Sequence, residues 1–86
     1  MKAIITRYHG ADVTKPSTVS ATTGHPKNRV TVKVSQFDSA DKAHDGAAIA
    51  LCRKFGWAGP LMKGGLENGD QVYTFENDVN RVLVQL

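Results

Sequence analysis

Hydrophobic and polar positions along the chain fall into five short β-type runs and one longer helical run. The helical run, Ser39–Trp57, organises the rest, because Ala40, His44, Ala47, Ala48, Leu51 and Phe55 recur at the spacing of one helix face. Asp38 and Ser39 are N-cap candidates, and Asp41 places a negative charge in the first turn, where the helix dipole favours it. Arg53 and Lys54 fall in the last turn and Gly56 at the stop. Gly46 lies inside the helix at a cost of about 1 kcal/mol relative to alanine. Together with the small residues around it, it lets the helix lie close against a sheet.

The first strand is predicted over 2–8. Its adjacent Ile4 and Ile5 give no clean alternation, which suits a strand that is central in the sheet or buried on both faces. In 17–22, Val19 and Ala21 alternate with Thr18, Ser20 and Thr22. After a turn at Thr23–Asn28, Val30, Val32 and Val34 share one face of 29–34, with Arg29, Thr31 and Lys33 on the other. These two runs are expected to form a hairpin. Beyond the helix, Trp57–Gly69 reads as a long connection with four glycines and Pro60. The runs 71–76 and 81–86, separated by a turn at Asn77–Asn80, are expected to pair as a second hairpin. The expected fold class is α+β: one antiparallel sheet of about five strands, in the order β-β-β-α-β-β, with one helix packed on one face. The pattern leaves the strand order open.

The 86 residues correspond to one domain, 1–86. Cys52 is the single cysteine, so an intramolecular disulfide is excluded. No stretch has the length of a membrane span and the N-terminal run is too short for a signal peptide, so a cytoplasmic location is expected. The net charge of +3 is unevenly spread. Residues 1–33 carry Lys2, Arg7, Lys15, Lys27, Arg29 and Lys33 against Asp12, whereas 34–86 hold five bases and seven acids. A basic front half suits nucleic acid or an acidic protein face, and equally a solvated sheet face whose Lys and Arg protect its edges.

Candidate chemistry is sparse. Cys52 has no histidine in helical reach and reads as a half-buried structural thiol. His9 and His25 are expected to be exposed and His44 to lie on or beside the buried face. No pair of them has ligand spacing, so neither a metal nor another cofactor is expected. The glycine-rich Lys63–Gly69 follows a helix instead of preceding one, which is the wrong order for a phosphate loop; it reads as a flexible or tightly turning connection, with a contact loop as the functional alternative. Trp57 reads as a plug over the helix end or as an exposed anchor. Ile49 points off the apolar stripe beside Lys42 and Arg53, and would mark an interface if it joined Trp57, Leu61 or Met62. Basic strands carrying Tyr8, Tyr73 and Phe75 look like sheets that stack bases on aromatics. With no acid–base pair or activated nucleophile, a non-enzymatic role is expected.

The opening Lys2-Ala3-Ile4-Ile5 with Tyr8 and Gly10, the run Ala47–Trp57, Gly64-Gly65-Leu66, Asn68-Gly69 and Val72–Phe75 together resemble small uncharacterised proteins encoded by bacteriophages and related mobile elements. The resemblance covers most of the chain up to Phe75 and leaves out Asn77–Leu86. It implies a context: such proteins often bind a host protein or nucleic acid, and inhibitors of host defence, anti-CRISPR proteins among them, are one such class. The expected function is therefore that of a phage or mobile-element protein that binds a host protein complex. The alternative is nucleic-acid binding by the basic strands of 1–33. The expected contact residues are Arg7, Lys27, Arg29, Lys33, Lys42, Ile49, Arg53, Trp57 and Lys63. Open strand edges also allow a homodimer.

Overall fold

The computed structural model describes residues 3–24, 27–76, 83 and 85. Among these residues five strands make one antiparallel sheet: β1 Ile4–His9, β2 Thr18–Thr22, β3 Arg29–Lys33, β4 Leu61–Gly65 and β5 Gln71–Phe75. A 3-10 turn, Val34–Gln36, leads from β3 toward the helix α1, Ala40–Phe55. The spatial order is β3-β2-β1-β5-β4, which makes β1 the central strand. The fold is α+β, with α1 laid across β1, β2 and β3 on one face.

Alternation sets the two faces. Ile4 and Thr6 of β1, Val19 and Ala21 of β2, and Tyr73 and Phe75 of β5 are buried beneath the helix side. Ile5 and Arg7 point to the opposite, open face. The adjacent isoleucines thus reflect a central strand with one buried face. Ile4 is fully buried, while Ile5 keeps 36% of its surface.

Ser39 caps α1, accepting a hydrogen bond from the Lys42 backbone N–H at 3.2 Å, and Gly56 ends it with φ 69° in the left-handed region. The buried stripe is Ala43, His44, Ala47, Ala48, Leu51 and Cys52. Two residues expected in the core lie outside it: Ala40 is exposed and Phe55 is 37% exposed. Both sit at helix ends. Phe55 instead stacks on Trp57, with ring centroids 5.2 Å apart. Trp57 in turn meets Phe75 edge-on at 6.5 Å, so it is a half-buried plug over the end of the core.

The segment Trp57–Gly69 is not one long connection. Its residues 61–65 form the edge strand β4, paired from Leu61 opposite Phe75 to Gly65 opposite Gln71. Asn68-Gly69 makes the tight reversal, with Gly69 at φ 92° and its N–H bonded to the Leu66 carbonyl at 3.0 Å. The glycine-rich stretch is therefore half strand and half hairpin turn. Of the strand expected at 81–86, Leu83 and Gln85 are described, both exposed and neither in a strand; the rest of it, its turn at 77–80 and its pairing with 71–76 lie outside the described residues, as does His25. Among the described residues no helix is long and apolar enough to cross a membrane.

Candidate functional site

The open face carries the largest concentration of unspent polar chemistry. Alternation puts Arg29, Thr31 and Lys33 of β3, Thr18, Ser20 and Thr22 of β2, and Ile5, Arg7 and His9 of β1 on this side. Register brings them into rows. Thr31 is opposite Ser20 and Ser20 opposite Arg7, while Lys33 is opposite Thr18 and Thr18 opposite His9. Short hydroxyl side chains on β2 lie between longer ones on β1 and β3, so the face is dished along β2.

Two connected depressions result. One, of about 490 Å³, lies among His9, Asp12, Lys15, Thr18, Arg29, Thr31 and Lys33, so it holds one carboxylate beside its three cations. The other, of about 200 Å³, is lined by Ile5, Arg7, His9, Ser20, Thr22 and Arg29. His9 and Arg29 line both, so the two form one trough. Arg29 and Lys33 make no ion pair among the described residues.

The carboxylates near the trough are already engaged. Asp70, whose side chain is 7% exposed, accepts from Arg7 Nε at 3.1 Å and Nη2 at 2.9 Å. These bonds hold the Asp70 carboxyl below the usual carboxylate range, with burial opposing. Asp12 Oδ1 accepts the backbone N–H groups of Thr14 and Lys15, each at 2.8 Å, which lowers its pKa in the same way. His9 Nε2 is 2.9 Å from Ser20 Oγ and half-buried, not exposed as expected from the sequence.

A second cluster lies on the helix side, in a notch of about 250 Å³ between α1 and β4. Tyr73 Oη donates to Asp45 Oδ1 at 2.6 Å, and Lys63 Nζ donates to the same oxygen at 2.9 Å. Burial pushes the Asp45 carboxyl up, but these two donors outweigh it and leave it lowered. Burial, reinforced by the bond to Asp45, raises the Tyr73 phenol far above its ordinary value. Deeper in, Thr6 Oγ1 is 2.6 Å from His44 Nδ1, and burial lowers the His44 pKa. Ile49, 44% exposed, and Leu61 complete the notch.

Of the residues expected to make contacts, Arg7, Arg29 and Lys33 share the open face. Lys27 stands exposed in the turn before Arg29. Lys42, paired with Asp38 at 3.3 Å, and Arg53 lie on the outer side of α1, away from the trough. Ile49 and Lys63 meet in the notch. Ile49 there joins Leu61, whereas Met62 faces the other way. The three aromatics expected to stack bases do not lie on the open face. Tyr73 and Phe75 are buried under the helix, and Tyr8 shares their face at its rim, its hydroxyl 3.1 Å from Ser17 Oγ. Lys15, His9 and the β2 hydroxyls were not among the expected contacts. The alternation of Thr18, Ser20 and Thr22 marks the hydroxyls in the sequence, and Lys15 belongs to the basic charge of 1–33.

Cys52 is buried, and burial raises its thiol pKa, as suits an inert core sulfur. Among the described residues no group of His, Cys, Asp and Glu is placed to hold a metal ion. Comparison with protein-family models, with curated proteins and with solved structures finds no match to this chain.

Proposed function

We propose that the protein binds nucleic acid through the open face of its sheet, with Arg29, Lys33, Lys15 and the outer edge of Arg7 along the phosphate backbone. One observation carries this: adjoining depressions in which cations flank a line of hydroxyls, with Asp70 neutralised by Arg7 and the single lining carboxylate, Asp12, outnumbered by Lys15, Arg29 and Lys33. Cations and hydroxyls are the groups that contact phosphate and sugar, and such contacts do not depend on sequence. Binding of labelled oligonucleotides, followed by fluorescence anisotropy at low salt, tests it. The expected outcome is binding that weakens steeply as salt rises, because each neutralised phosphate releases counterions. Absence of binding to any single- or double-stranded probe at low salt refutes it.

A second function is favoured by the notch. Exposed Ile49 beside Leu61, with the Asp45–Lys63 ion pair at its rim, offers an apolar hole framed by charge, a form that protein anchors use. In a phage or mobile-element setting the partner would be a host defence complex, held by protein–protein contact. Ile49→Asp should abolish recovery of a stoichiometric host partner. Unchanged phage restriction on expression of the wild-type protein counts against this function.

A further inference from the structure

The basic trough takes up only part of the open face. Register aligns Arg29, Thr22, Ile5, Val72 and Gly64 in one row across all five strands. Along this row the chemistry passes from cation to hydroxyl, then to hydrocarbon, then to bare backbone. At a strand spacing of about 4.8 Å, Ile5 is about 10 Å from the Arg29 position and Val72 about 14 Å. Met62, on the same face, is 53% exposed, and Ile5 is 36% exposed. An apolar shelf therefore adjoins the trough, near the centre of a sheet face that has no helix over it among the described residues.

Gly64 is the telling position. It lies in the interior of β4, where glycine weakens a strand. Its φ is not positive, so the backbone does not require it. A Cβ placed there would meet nothing within 4 Å, so packing does not require it either. Strand glycines also occur at bulges and where a ligand or another backbone approaches closely, and the regular pairing of β4 with β5 through Gly64 excludes the bulge.

Hydrocarbon and flat backbone beside a cationic trough match the two halves of an unpaired nucleotide, its phosphate and the face of its base. A base in a duplex offers only its edges, because its faces are stacked. We infer that Ile5, Val72, Met62 and Gly64 form a shelf for the face of an unpaired base, so that the nucleic acid taken by this protein is single-stranded. This rests on the nucleic-acid function proposed above. No Phe, Tyr or Trp lies on this face, so bases of all kinds are accepted through apolar contact and without a ring partner.

The test compares three probes of equal phosphate count at low salt: an oligothymidylate, the same chain with abasic sites in place of its bases, and a duplex. The oligothymidylate should bind about tenfold more tightly than the abasic chain, the effect of removing about 55 Å² of apolar surface from water. A Cβ at position 64 meets nothing within 4 Å and threonine is favoured in strands, so the thermal midpoint of Gly64→Thr should not fall, and the variant should bring oligothymidylate binding down to the abasic level. Equal binding of the oligothymidylate and abasic chains, duplex binding as tight as single-stranded, or a folded Gly64→Thr that binds like wild type each overturns the shelf. The backbone contacts proposed above would survive those results. If no probe binds at all, the nucleic-acid function itself falls, and the shelf with it.

Discussion

Replacing Gly46 by alanine should destabilise the protein, although helix propensity alone predicts the reverse. In a helix interior alanine is favoured over glycine by about 1 kcal/mol. Here, however, a Cβ on residue 46 would stand 2.3 Å from both Cε1 and Cζ of Phe37. Carbon atoms in contact prefer about 3.5–4.0 Å, so the ring must move by more than about 1 Å. Phe37 packs against the core from the segment that joins β3 to α1. Overpacking of this kind costs about 1–3 kcal/mol, which leaves a net loss near 1 kcal/mol and a fall in Tm of about 4–8 °C. A double-mutant cycle isolates the cause. In a Phe37→Ala background the obstacle is gone, and Gly46→Ala should stabilise by about 1 kcal/mol, giving a coupling near 2 kcal/mol. Urea denaturation followed by the fluorescence of the single tryptophan, Trp57, measures all four proteins, since that ring lies against Phe55 and Phe75. The slope of free energy against urea should stay constant through the set. If Gly46→Ala raises the midpoint in the wild-type background, or changes stability equally in both backgrounds, Phe37 is not the reason for the glycine.

Further outcomes follow from the same geometry. His44 has a folded-state pKa below its unfolded value, so its contribution to stability is complete above about pH 6.5 and is lost as pH falls below that toward the folded pKa. Wild type should therefore lose stability on acidification more steeply than His44→Gln through that window, and parallel denaturation midpoints for the two would refute it. Asp41, Lys63, Asp45 and Asp70 set the field around this ring, and buffers of constant ionic strength keep that field fixed. Tyr73→Phe removes the 2.6 Å hydrogen bond to a half-exposed Asp45 and should cost about 1 kcal/mol in chemical denaturation, since water can take over part of the lost contact. Arg29→Ala and Lys33→Ala should each reduce the slope of log K against log salt by about 0.7 for single strands, whereas Arg53→Ala on the outer helix face should leave it unchanged. Asp70→Asn removes a negative charge from the open face and releases Arg7, so oligonucleotide binding at low salt should tighten; weaker binding by a folded variant would count against the trough.

The Thr18–Ser20–Thr22 and Arg29–Thr31–Lys33 alternations place the polar side of β2 and β3, and hence the floor and one wall of the trough, from the sequence alone. The helix and its caps were equally legible, because cap residues and the 3.6-residue period act locally. Strand β4 was not. Leu-Met-Lys-Gly-Gly has no alternation and two glycines, so nothing local favours a strand. Its cue was Asn68-Gly69, a hairpin dipeptide ahead of the clear strand 71–75.

What the sequence determined by itself was the fold class, the extent and capping of α1, and which side of each alternating strand is polar. Tertiary structure alone decided the strand order and everything that follows from it. Placing β1 between β2 and β5 sets Ile5 between Thr22 and Val72 and brings Arg7 to Asp70, sixty-three residues away in the chain. The same arrangement turns Tyr73 and Phe75 under the helix and away from the open face. The physical reason is range. Capping and alternation are short-range preferences, readable residue by residue. Strand neighbours are chosen by the burial of whole faces against one another, which no local window of sequence contains.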